Sequence, residues 1–290
     1  MAEVQSIQWF PGHMARTRRK IVEDLKLVDA VAEILDARVP QSSSNPVLRD
    51  LIQRKPKVVL LNKSDMADPA QTSQWIAHYA QLGEKAIPIE SKTGKGINAF
   101  YPSVREVLKP QIEAWEKKGM VGRPIRVMVV GIPNVGKSSF INRMIYGGKA
   151  GKAEVQDRPG VTRQNRWFTV GKGFELLDTP GVLWPKFEDP IVGEHLAFTG
   201  AVRDEILDIE GLASRLLELL MELYPNAVNG RYKTDISPED HLPGYEILER
   251  VGRKRGMLIS GGEVNTERAA ITVLDEYRGG KLGRITLERP

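Results

Sequence analysis

The amino-acid sequence predicts an α/β fold, in which a doubly wound, mainly parallel sheet is followed by a small all-helical domain. In residues 1–190, short apolar runs alternate with amphipathic helical segments, as in parallel sheets that carry helices on both faces. After about residue 190 the strand-like runs fade and helical periodicity takes over. A glycine-rich phosphate-loop motif, GIPNVGKS at residues 131–138, joins a strand to a helix in the first part. We therefore predict two domains, 1–190 and 191–290.

The first domain is predicted from its apolar runs and the helical segments between them. The predicted strands are Val28–Leu35, Val58–Leu61, Ala86–Ile89, Ile125–Val130 and Phe174–Leu177. The predicted helices are Pro46–Gln53, Pro69–Leu82, Ile97–Lys118 and Lys137–Tyr146.

Two helical patterns define the second domain. The segment GLASRLLELLMELYP ends at Pro225, which we expect to stop the helix, and it places five leucines on one helical face, namely Leu212, Leu216, Leu219, Leu220 and Leu223. The segment NTERAAITVLDEYRGG begins with the cap-type residues Asn265 and Thr266 and ends at Gly279–Gly280.

Composition excludes several classes of protein. The 290 residues are 41% apolar and 27% charged, as in an ordinary globular protein. No apolar run approaches the ~18 residues that span a bilayer, and the N-terminus lacks the apolar core of a secretory signal. Without cysteine there are no disulfides, thiolate metal sites or cysteine nucleophiles, which suits the cytoplasm. Residues 1–199 hold 29 basic against 21 acidic residues, and the remainder 13 against 16. Excess positive charge favours a polyanionic partner.

The motif at 131–138 predicts a site for nucleotide phosphates. Its glycines let backbone N–H groups surround phosphate oxygens at the start of a helix. Lys137 would contact the β- and γ-phosphates, and the Ser138 hydroxyl would bind Mg²⁺. The alternative, an ordinary glycine-rich turn, does not explain the full spacing and context. We assign phosphate contacts to Asn134, Val135, Gly136, Lys137, Ser138 and Ser139.

Two further segments complete the predicted phosphate site. In LLDTPG, Asp178 ends an apolar strand and would hold Mg²⁺ through water, and the Gly181 N–H would contact the γ-phosphate. Alone, this pattern is common turn chemistry. In RPGVTRQ, Thr162 would add a second hydroxyl to Mg²⁺ in the triphosphate state, and the alternative is a plain loop residue. We call the segment around Thr162 switch one and Asp178–Gly181 switch two.

The tetrapeptide NKSD predicts recognition of a guanine base. The Asp65 carboxylate can accept hydrogen bonds from guanine N1–H and the 2-amino group, whereas adenine would leave it unpaired. The Lys63 stem would lie along the base, and Asn62 would tie the loop to its neighbours. In IPIESKTGKG, Ser91 and Lys92 would approach the guanine oxygen, although a generic strand-to-helix turn explains this match nearly as well. With the phosphate motifs, NKSD favours GTP and GDP over adenine nucleotides.

These motifs run in an unusual order: base reader, base support, phosphate loop, switch one, switch two. A sheet tolerates such a permutation because the ends of a domain often lie close together. The order is that of a circularly permuted P-loop GTPase domain, with residues 97–124 joining the former ends. Switch two then runs within about ten residues into the second domain, so loss of the γ-phosphate would be transmitted to it directly.

The N-terminal motif WFPGHM, residues 9–14, and DARVPQSSSNP, residues 36–46, extend this pattern. Together with the permuted motifs, the chain resembles the YlqF/RbgA family of bacterial ribosome-assembly GTPases over nearly its whole length. The resemblance implies a helical C-terminal domain that binds ribosomal RNA and a role in late assembly of the large ribosomal subunit.

Hydrolysis requires a group that orients water. Ras-like enzymes place a glutamine after switch two, but Val182 stands here and cannot bind water. The resemblance implies that His13 supplies this function; alternatively, His13 is a bystander in a segment that docks Trp9 and Phe10. Asn134 resembles the K⁺-coordinating residue of cation-dependent GTPases, although asparagine also suits tight loops.

Two basic clusters are candidates for contacts with ribosomal RNA. They comprise Arg16, Arg18, Arg19 and Lys20 in the first domain, and Arg250, Arg253, Lys254 and Arg255 in the second. The alternative is a solvated helix face. Nothing in the sequence demands a dimer, and we expect a monomer.

Three other functions stay open at this point. One alternative is a GTPase of another RNA process such as tRNA modification. Another is a guanine-nucleotide-dependent binding module with incidental hydrolysis, which Val182 would suit. A metabolic P-loop kinase is disfavoured because it gives NKSD no role.

Overall fold

The computed structural model describes residues 11–147, 166–184, 187, 189–202 and 204–290, without the side chains of 11–15 and 206. Thr162 and the first two residues of WFPGHM therefore lie outside the described residues. Contacts divide the chain into two compact units. The sheet unit comprises Gln8–Lys186 and Glu288–Pro290, and the helical unit includes Phe187–Leu287.

The sheet unit contains a six-stranded sheet with the order β3-β2-β1-β4-β6-β5. Five strands are parallel, and β5 runs antiparallel at the edge beside β6. The strands are β1 (Ala30–Asp36), β2 (Lys57–Asn62), β3 (Lys85–Pro88), β4 (Ile125–Val130), β5 (Arg166–Val170) and β6 (Phe174–Asp178). This arrangement confirms the predicted α/β class with a mainly parallel sheet.

Helices cover both faces of this sheet. They are α1 (Pro11–Leu25), α2 (Pro46–Ile52), α3 (Pro69–Gln81), α4 (Phe100–Val107), α5 (Lys109–Lys117) and α6 (Lys137–Tyr146), with a 3₁₀ turn at Ile97–Ala99. Apolar residues of α1, α2 and α3 pack on one face, against alternate residues of the central strands. On the other face, the rings of Phe100 and Phe140 meet edge to face at 5.3 Å and pack beside Phe174. Because both faces are covered, β1 is buried along its whole length.

The structure corrects the sequence prediction at several places in the sheet unit, beginning with helix α1, which was not predicted. The single helix predicted over Ile97–Lys118 is broken at Leu108, whose φ of −96° and ψ of 2° are not helical. Pro110 explains the break, since it lacks an N–H and its ring would clash with the carbonyl four residues earlier. Strand β5 was not predicted; its Trp167, Phe168 and Val170 are buried. At the ends of β1, the first two predicted residues precede the strand and Asp36 extends it.

The helical unit is built around α8. Its helices are α7 (Pro190–Phe198), α8 (Ile209–Leu223), α9 (Pro225–Tyr232), α10 (Gly244–Lys254) and α11 (Thr266–Arg278), with 3₁₀ turns at Asp204–Ile206 and Pro238–Asp240. Helix α8 contacts each of the other four helices. Gly244 lies so close to the backbone of Ser214 that a Cβ would overlap the Ser214 carbonyl. The side chain of Arg278 donates to the carbonyls of Ala197 (2.8 Å) and Phe198 (3.1 Å), which fastens the end of α7 to α11.

One expectation for this unit was confirmed and one was wrong. Helix α8 ends at Leu223, two residues before Pro225, as predicted, and Pro225 then begins α9, in the first turn where proline needs no N–H. The leucine face of α8 is displaced: Leu216 and Leu220 are buried, but the other deeply buried side chains are Ala213, Leu217 and Met221. Leu212, Leu219 and Leu223 are only half-buried.

Glu276 links three helices through a partly buried ion network. Its carboxylate accepts hydrogen bonds from Arg231 of α9 and from Arg255, just after α10, at 3.1 Å for the latter. The hydrogen bond from Arg231 is the main reason that the pKa of Glu276 is lowered, and the charge of Arg255 adds to it.

The last three residues return to the sheet unit. The Glu288 carboxylate accepts hydrogen bonds from the backbone N–H of Gln41 (2.6 Å) and of Ser42 (3.1 Å), and from the Ser42 hydroxyl. The Trp75 indole N–H donates to the Glu288 carbonyl at 3.3 Å. The sheet unit is therefore formed from two separate stretches of chain. None of the described helices is long and apolar enough to cross a membrane.

Candidate functional site

Four of the five predicted nucleotide motifs meet at one edge of the sheet, and the fifth, switch one, lies outside the described residues. Strands β1, β2, β4 and β6 are parallel neighbours, so their carboxyl ends share this edge. Asp36 at the end of β1 pairs in register with Asn62 at the end of β2, and Val129 of β4 pairs with Asp178. In open α/β sheets this edge is where ligands bind.

The phosphate loop follows β4 and enters α6. Gly131 passes so close to β1 that a Cβ would lie 2.6 Å from the Ile34 carbonyl oxygen. Gly136 precedes α6 with a φ of +99°, a conformation that favours glycine. Asn134 also has a positive φ, +61°, and its side chain is exposed, as are those of Ser138 and Ser139, whereas Val135 is buried.

Lys137 is turned back onto this loop. Its Nζ donates to the carbonyl oxygens of Gly131 and Ile132, each at 3.0 Å. Burial lowers the pKa of Lys137 to about 8, although the charge of Asp178 opposes this shift. Among the described residues, the hydrogen-bond partners of this buried ammonium are neutral carbonyls, so an anionic ligand would stabilise its charge.

Switch two lies against the same loop. A Cβ on Gly181 would come within 2.9 Å of Lys137 Nζ and 3.0 Å of the Pro133 nitrogen. The Thr179 hydroxyl donates to the Val129 carbonyl at 2.7 Å, which fixes the start of this segment on β4. Burial raises the pKa of Asp178, opposed by the charges of Lys137 and Arg166.

Asn62 joins the base-reading segment to two other loops. Its Nδ2 donates to the Val135 carbonyl of the phosphate loop at 2.7 Å. Its Oδ1 accepts from the Ser91 N–H at 3.0 Å and from the Ser91 hydroxyl at 2.8 Å. Asn62 and Ser91 are both buried, and Lys92 is exposed. This one side chain thus positions three predicted nucleotide segments relative to one another.

Lys63 and Asp65 differ in their protein contacts. Lys63 has a left-handed backbone, with a φ of +60°, and its Nζ lies 2.8 Å from Asp36 Oδ2. Asp65 is half-buried, and within the described residues no hydrogen bond or ion pair engages its carboxylate. A carboxylate in this position is available to the hydrogen-bond donors of a ligand.

Sequence reasoning missed the part played by residues 36–45, which we call the linking loop. Asp36 and Arg38 are buried behind Lys63, and Asn45 is buried beside switch two. Asn45 caps α2 by accepting from the Leu48 N–H, and its Nδ2 donates to the Val182 carbonyl at 2.8 Å. The segment DARVPQSSSN holds these residues, but nothing in its local pattern indicates their partners.

The Val182 side chain lies in an apolar environment. This side chain is half-buried and packs against the core cluster that includes Ile21, Leu48 and Leu177. It stands where Ras-like enzymes place the water-orienting glutamine, and its apolar contacts agree with its inability to bind water.

The remaining predicted residues belong to α1, to the helical unit or to segments outside the described residues. The backbone of His13 belongs to α1, but its side chain is not among those described, and Thr162 lies outside the described residues. Arg16, Arg18 and Arg19 are exposed on α1, and Lys20 pairs with Asp24 at 3.4 Å. In the helical unit, Arg250, Arg253, Lys254 and Arg255 are exposed; Arg253 pairs with Glu249 at 2.9 Å, and Arg255 contacts Glu276.

The donor groups at the sheet edge suit a hard cation. The Ser138 hydroxyl and the Asp178 carboxylate are oxygen ligands of the kind that Mg²⁺ prefers. Within the described ranges, no group of three or more histidine or acidic side chains could hold a metal by itself. A cation here would therefore take most of its ligands from phosphates and water, as Mg²⁺ does in nucleotide sites.

Comparison with known proteins agrees with this geometry. The family described as 50S ribosome-binding GTPase matches residues 126–227. A protein of Bacillus pumilus named ribosome biogenesis GTPase A is 45% identical over 98% of this chain and 99% of its own length. Its namesake in Priestia megaterium is 46% identical over 98% and 97%. The GDP-bound structure of a Thermotoga maritima protein called YlqF aligns with a TM-score of 0.66 and 28% identity, over 94% of this chain and 99% of that one.

Proposed function

Because the chain belongs to the ribosome biogenesis GTPase A family, which includes YlqF, we propose that it is a GTP-hydrolysing switch in late assembly of the large ribosomal subunit. In its GTP-bound form the protein binds the subunit precursor. It leaves the precursor after GTP has been hydrolysed to GDP and phosphate.

The hydrogen bonds of Asn62 carry this proposal. They connect the base reader to the phosphate loop through Val135 and to the base-support loop through Ser91. One nucleotide that spans these segments would meet groups suited to both its base and its phosphates. The reversed order of the motifs along the chain does not disturb this arrangement, because the base reader, the base support, the phosphate loop and switch two each follow one of the parallel strands, whose carboxyl ends share one sheet edge.

Recognition of guanine falls to Asp65, whose carboxylate accepts from N1–H and the 2-amino group. The stem of Lys63 lies along the base, and Ser91 and Lys92 support the loop near the guanine oxygen. Backbone N–H groups of Asn134–Ser139 bind the phosphates at the start of α6. Lys137 exchanges its two carbonyl partners for β- and γ-phosphate oxygens, and Gly181 donates to the γ-phosphate.

Cation binding follows from the same residues. Ser138 and Thr162 supply hydroxyl ligands to Mg²⁺, and Asp178 holds it through water. When bound, Mg²⁺ neutralises charge that develops on the phosphoryl group during transfer. Asn134 contributes to a K⁺ site beside the phosphates, and its exposed side chain in a left-handed loop position is consistent with that role.

Water is oriented by a group outside switch two. The Val182 side chain packs in the core and has no hydrogen-bonding atom. We assign this function to His13, on the strength of the family's N-terminal motif. Neutral imidazole can orient water or accept its proton. The His13→Ala variant should keep GDP affinity and lose most turnover. Unchanged turnover would instead favour a nucleotide-dependent binding module.

The two parts of the chain have separate tasks. Residues 1–190 form the GTPase domain, and residues 191–290 form a helical domain that contacts ribosomal RNA. The clusters Arg16, Arg18, Arg19 and Lys20, and Arg253, Lys254 and Arg255, provide positive charge for RNA phosphates. Switch two precedes the helical domain by a few residues, so loss of the γ-phosphate alters the link between them. The protein acts as a cytoplasmic monomer.

The test is GTP turnover in KCl and in NaCl, with and without purified large ribosomal subunits. Strong stimulation by subunits that is lost in NaCl supports both the assembly role and the K⁺ site. Stimulation that is equal in both salts supports the assembly role and rejects the K⁺ site. Turnover that subunits do not change in either salt rejects the assembly role, and a GTPase of another RNA process, such as tRNA modification, becomes the better explanation.

A further inference from the structure

The buried pair Asp36 and Arg38 lies directly behind the base reader. Asp36 ends β1 and pairs in register with Asn62 of β2. Its Oδ1 accepts from Arg38 Nε at 2.9 Å and from the Arg38 backbone N–H at 3.1 Å, and its Oδ2 accepts from Arg38 Nη2 at 2.8 Å. Both residues are almost completely buried, at 2% and 1% exposure. This is the two-pronged geometry that fixes a guanidinium and a carboxylate rigidly.

The same carboxylate holds the ammonium group of Lys63. Lys63 Nζ lies 2.8 Å from Asp36 Oδ2, the oxygen that also accepts from Arg38 Nη2. The backbone of Lys63 is fixed as well. Asn62 on one side bonds to the phosphate loop, and on the other side the Ser64 hydroxyl donates to the Ile89 carbonyl at 3.1 Å. The lysine is therefore held at both ends, and its stem spans the distance between them.

The charges explain why this arrangement depends on Asp36. Burial alone would raise the pKa of Asp36, but Arg38 and Lys63 outweigh it and hold that pKa well below its usual value. Asp36 is thus an anion that two cations share. Burial and the nearby charges of Arg38 and Lys92 lower the pKa of Lys63, which Asp36 opposes. Without Asp36, Lys63 and Arg38 would lose the anion that they share, and their mutual repulsion would drive Lys63 towards solvent.

We infer that Asp36 and Arg38 are positioning residues for guanine recognition: they anchor the Lys63 ammonium so that the lysine stem forms one wall of the base site. This inference rests on the proposed function and adds residues of the linking loop to its binding site. It predicts that Asp36 contributes to binding of the base and not of the phosphates. Asp36 should affect the contact with the face of the base, which Lys63 covers, and should not affect recognition of its edge by Asp65.

The test compares ligands that differ in these features. Dissociation constants of GDP, inosine diphosphate and pyrophosphate are measured by calorimetry, with Mg²⁺, for the wild type and Asp36→Asn. Inosine diphosphate lacks the 2-amino group that Asp65 recognises but presents a similar ring face. We expect Asp36→Asn to weaken GDP and inosine diphosphate about tenfold each, so that their affinity ratio stays at the wild-type value. Pyrophosphate should bind as it does to the wild type.

The matched variant Lys63→Met keeps an unbranched side chain and removes the ammonium. It should weaken GDP by about the same factor, and adding Asp36→Asn to it should cause no further loss. Arg38→Lys keeps the charge, loses the two-pronged contact and should give an intermediate loss. Because Lys63→Met does not leave a buried cation without its partner, it keeps the test decisive should Asp36→Asn fail to fold.

Several outcomes of these measurements would overturn the inference. GDP affinity unchanged in Lys63→Met, or in folded Asp36→Asn, overturns the inference. So does a loss from Asp36→Asn that persists in the Lys63→Met background, or that extends to pyrophosphate, since the role would then be structural. A collapse of the ratio between GDP and inosine diphosphate also overturns it, because the effect would act through Asp65. Failure of the wild type to bind GDP rejects the proposed function instead.

Discussion

Replacing Asn62 with alanine should weaken both the sheet unit and its affinity for nucleotide. The substitution removes three hydrogen bonds: Nδ2 to the Val135 carbonyl at 2.7 Å, and the Ser91 N–H and hydroxyl to Oδ1 at 3.0 and 2.8 Å. Each buried polar group that loses its partner costs about 1–3 kcal/mol. Water that enters the vacated space and a hydroxyl that can rotate offset part of this cost. We therefore expect the free energy of unfolding to fall by about 3 kcal/mol.

The variant Ser91→Ala provides a matched scale for this loss. It removes only the hydroxyl that donates to Asn62 Oδ1, and so it should cost about 1 kcal/mol. GDP affinity should fall much more in Asn62→Ala than in Ser91→Ala, because only the former releases the base reader from the phosphate loop.

Tryptophan fluorescence during urea unfolding measures this effect selectively. All five tryptophans precede residue 187, so the signal reports the sheet unit and not the helical unit. Far-UV circular dichroism, which follows the helices of both units, serves as the comparison. A destabilisation below about 0.5 kcal/mol in Asn62→Ala, with unchanged GDP affinity, would refute the view that this side chain organises the site.

Three further predictions concern other parts of the molecule. Gly136→Ala should lower GDP affinity at least tenfold in titrations. The new Cβ would overlap Asn62 Nδ2, and the φ of +99° is unfavourable for alanine. Near wild-type affinity would contradict this prediction. Since the pKa of Glu276 is lowered in the folded state, its ion network stabilises the helical unit above pH ~4.5 and is lost as the pH falls through the lowered value. Glu276→Gln should therefore cost about 1 kcal/mol at pH 7, given the partly exposed arginines, and less as the pH falls through the lowered pKa of Glu276; a loss, measured by circular dichroism, that grows towards low pH would be inconsistent with this sign. Ending the chain at Leu287 should destabilise the sheet unit by about 2 kcal/mol, because the N–H groups of Gln41 and Ser42 lose the Glu288 carboxylate. Glu288→Gln should cost less. An unchanged fluorescence transition after truncation would disprove the role of this contact.

Much of the fold follows from local patterns in the sequence. The buried run Ile125–Val130 coincides with β4, and the helix predicted at Lys137–Tyr146 coincides with α6. Both are flanked by strong signals, since glycines end the strand and precede the helix. Strand β5 escaped prediction because it is a short edge strand in which the exposed residues, Arg166 and Thr169, do not alternate regularly with the buried ones. The break at Leu108 was missed because the helical periodicity continues through it, although Pro110 gives a physical reason.

Part of the candidate site was proposed from motifs in which one residue carries one function. Asp65 follows β2, Lys137 begins α6 and Asp178 ends β6, and the local sequence around each indicates the chemistry that we predict for it. Asp36, Arg38 and Asn45 were not predictable in the same way, because the contacts that connect them to the site, Asp36 with Lys63 and Asn45 with Val182, join distant parts of the chain. Pairing of Asp36 with Lys63 requires the register of β1 on β2, and pairing of Asn45 with Val182 requires the placement of β6. Such contacts are properties of the assembled sheet.

The return of Glu288 to the linking loop changes the topology of the helical unit. With its contacts to Gln41 and Ser42 in place, about a hundred residues form a closed loop whose two ends are both fastened to the sheet unit. Closing a loop of this length lowers its chain entropy, and the penalty grows only slowly with loop length. The linking loop contacts the chain at both ends of this closed loop. Asn45 donates to the Val182 carbonyl before it, and Ser42 donates to the Glu288 carboxylate after it. A segment that is fastened at one end has more accessible conformations than one that is fastened at both. Releasing Glu288 would therefore leave the segment Phe187–Leu287 joined to the sheet unit at one end of the chain only.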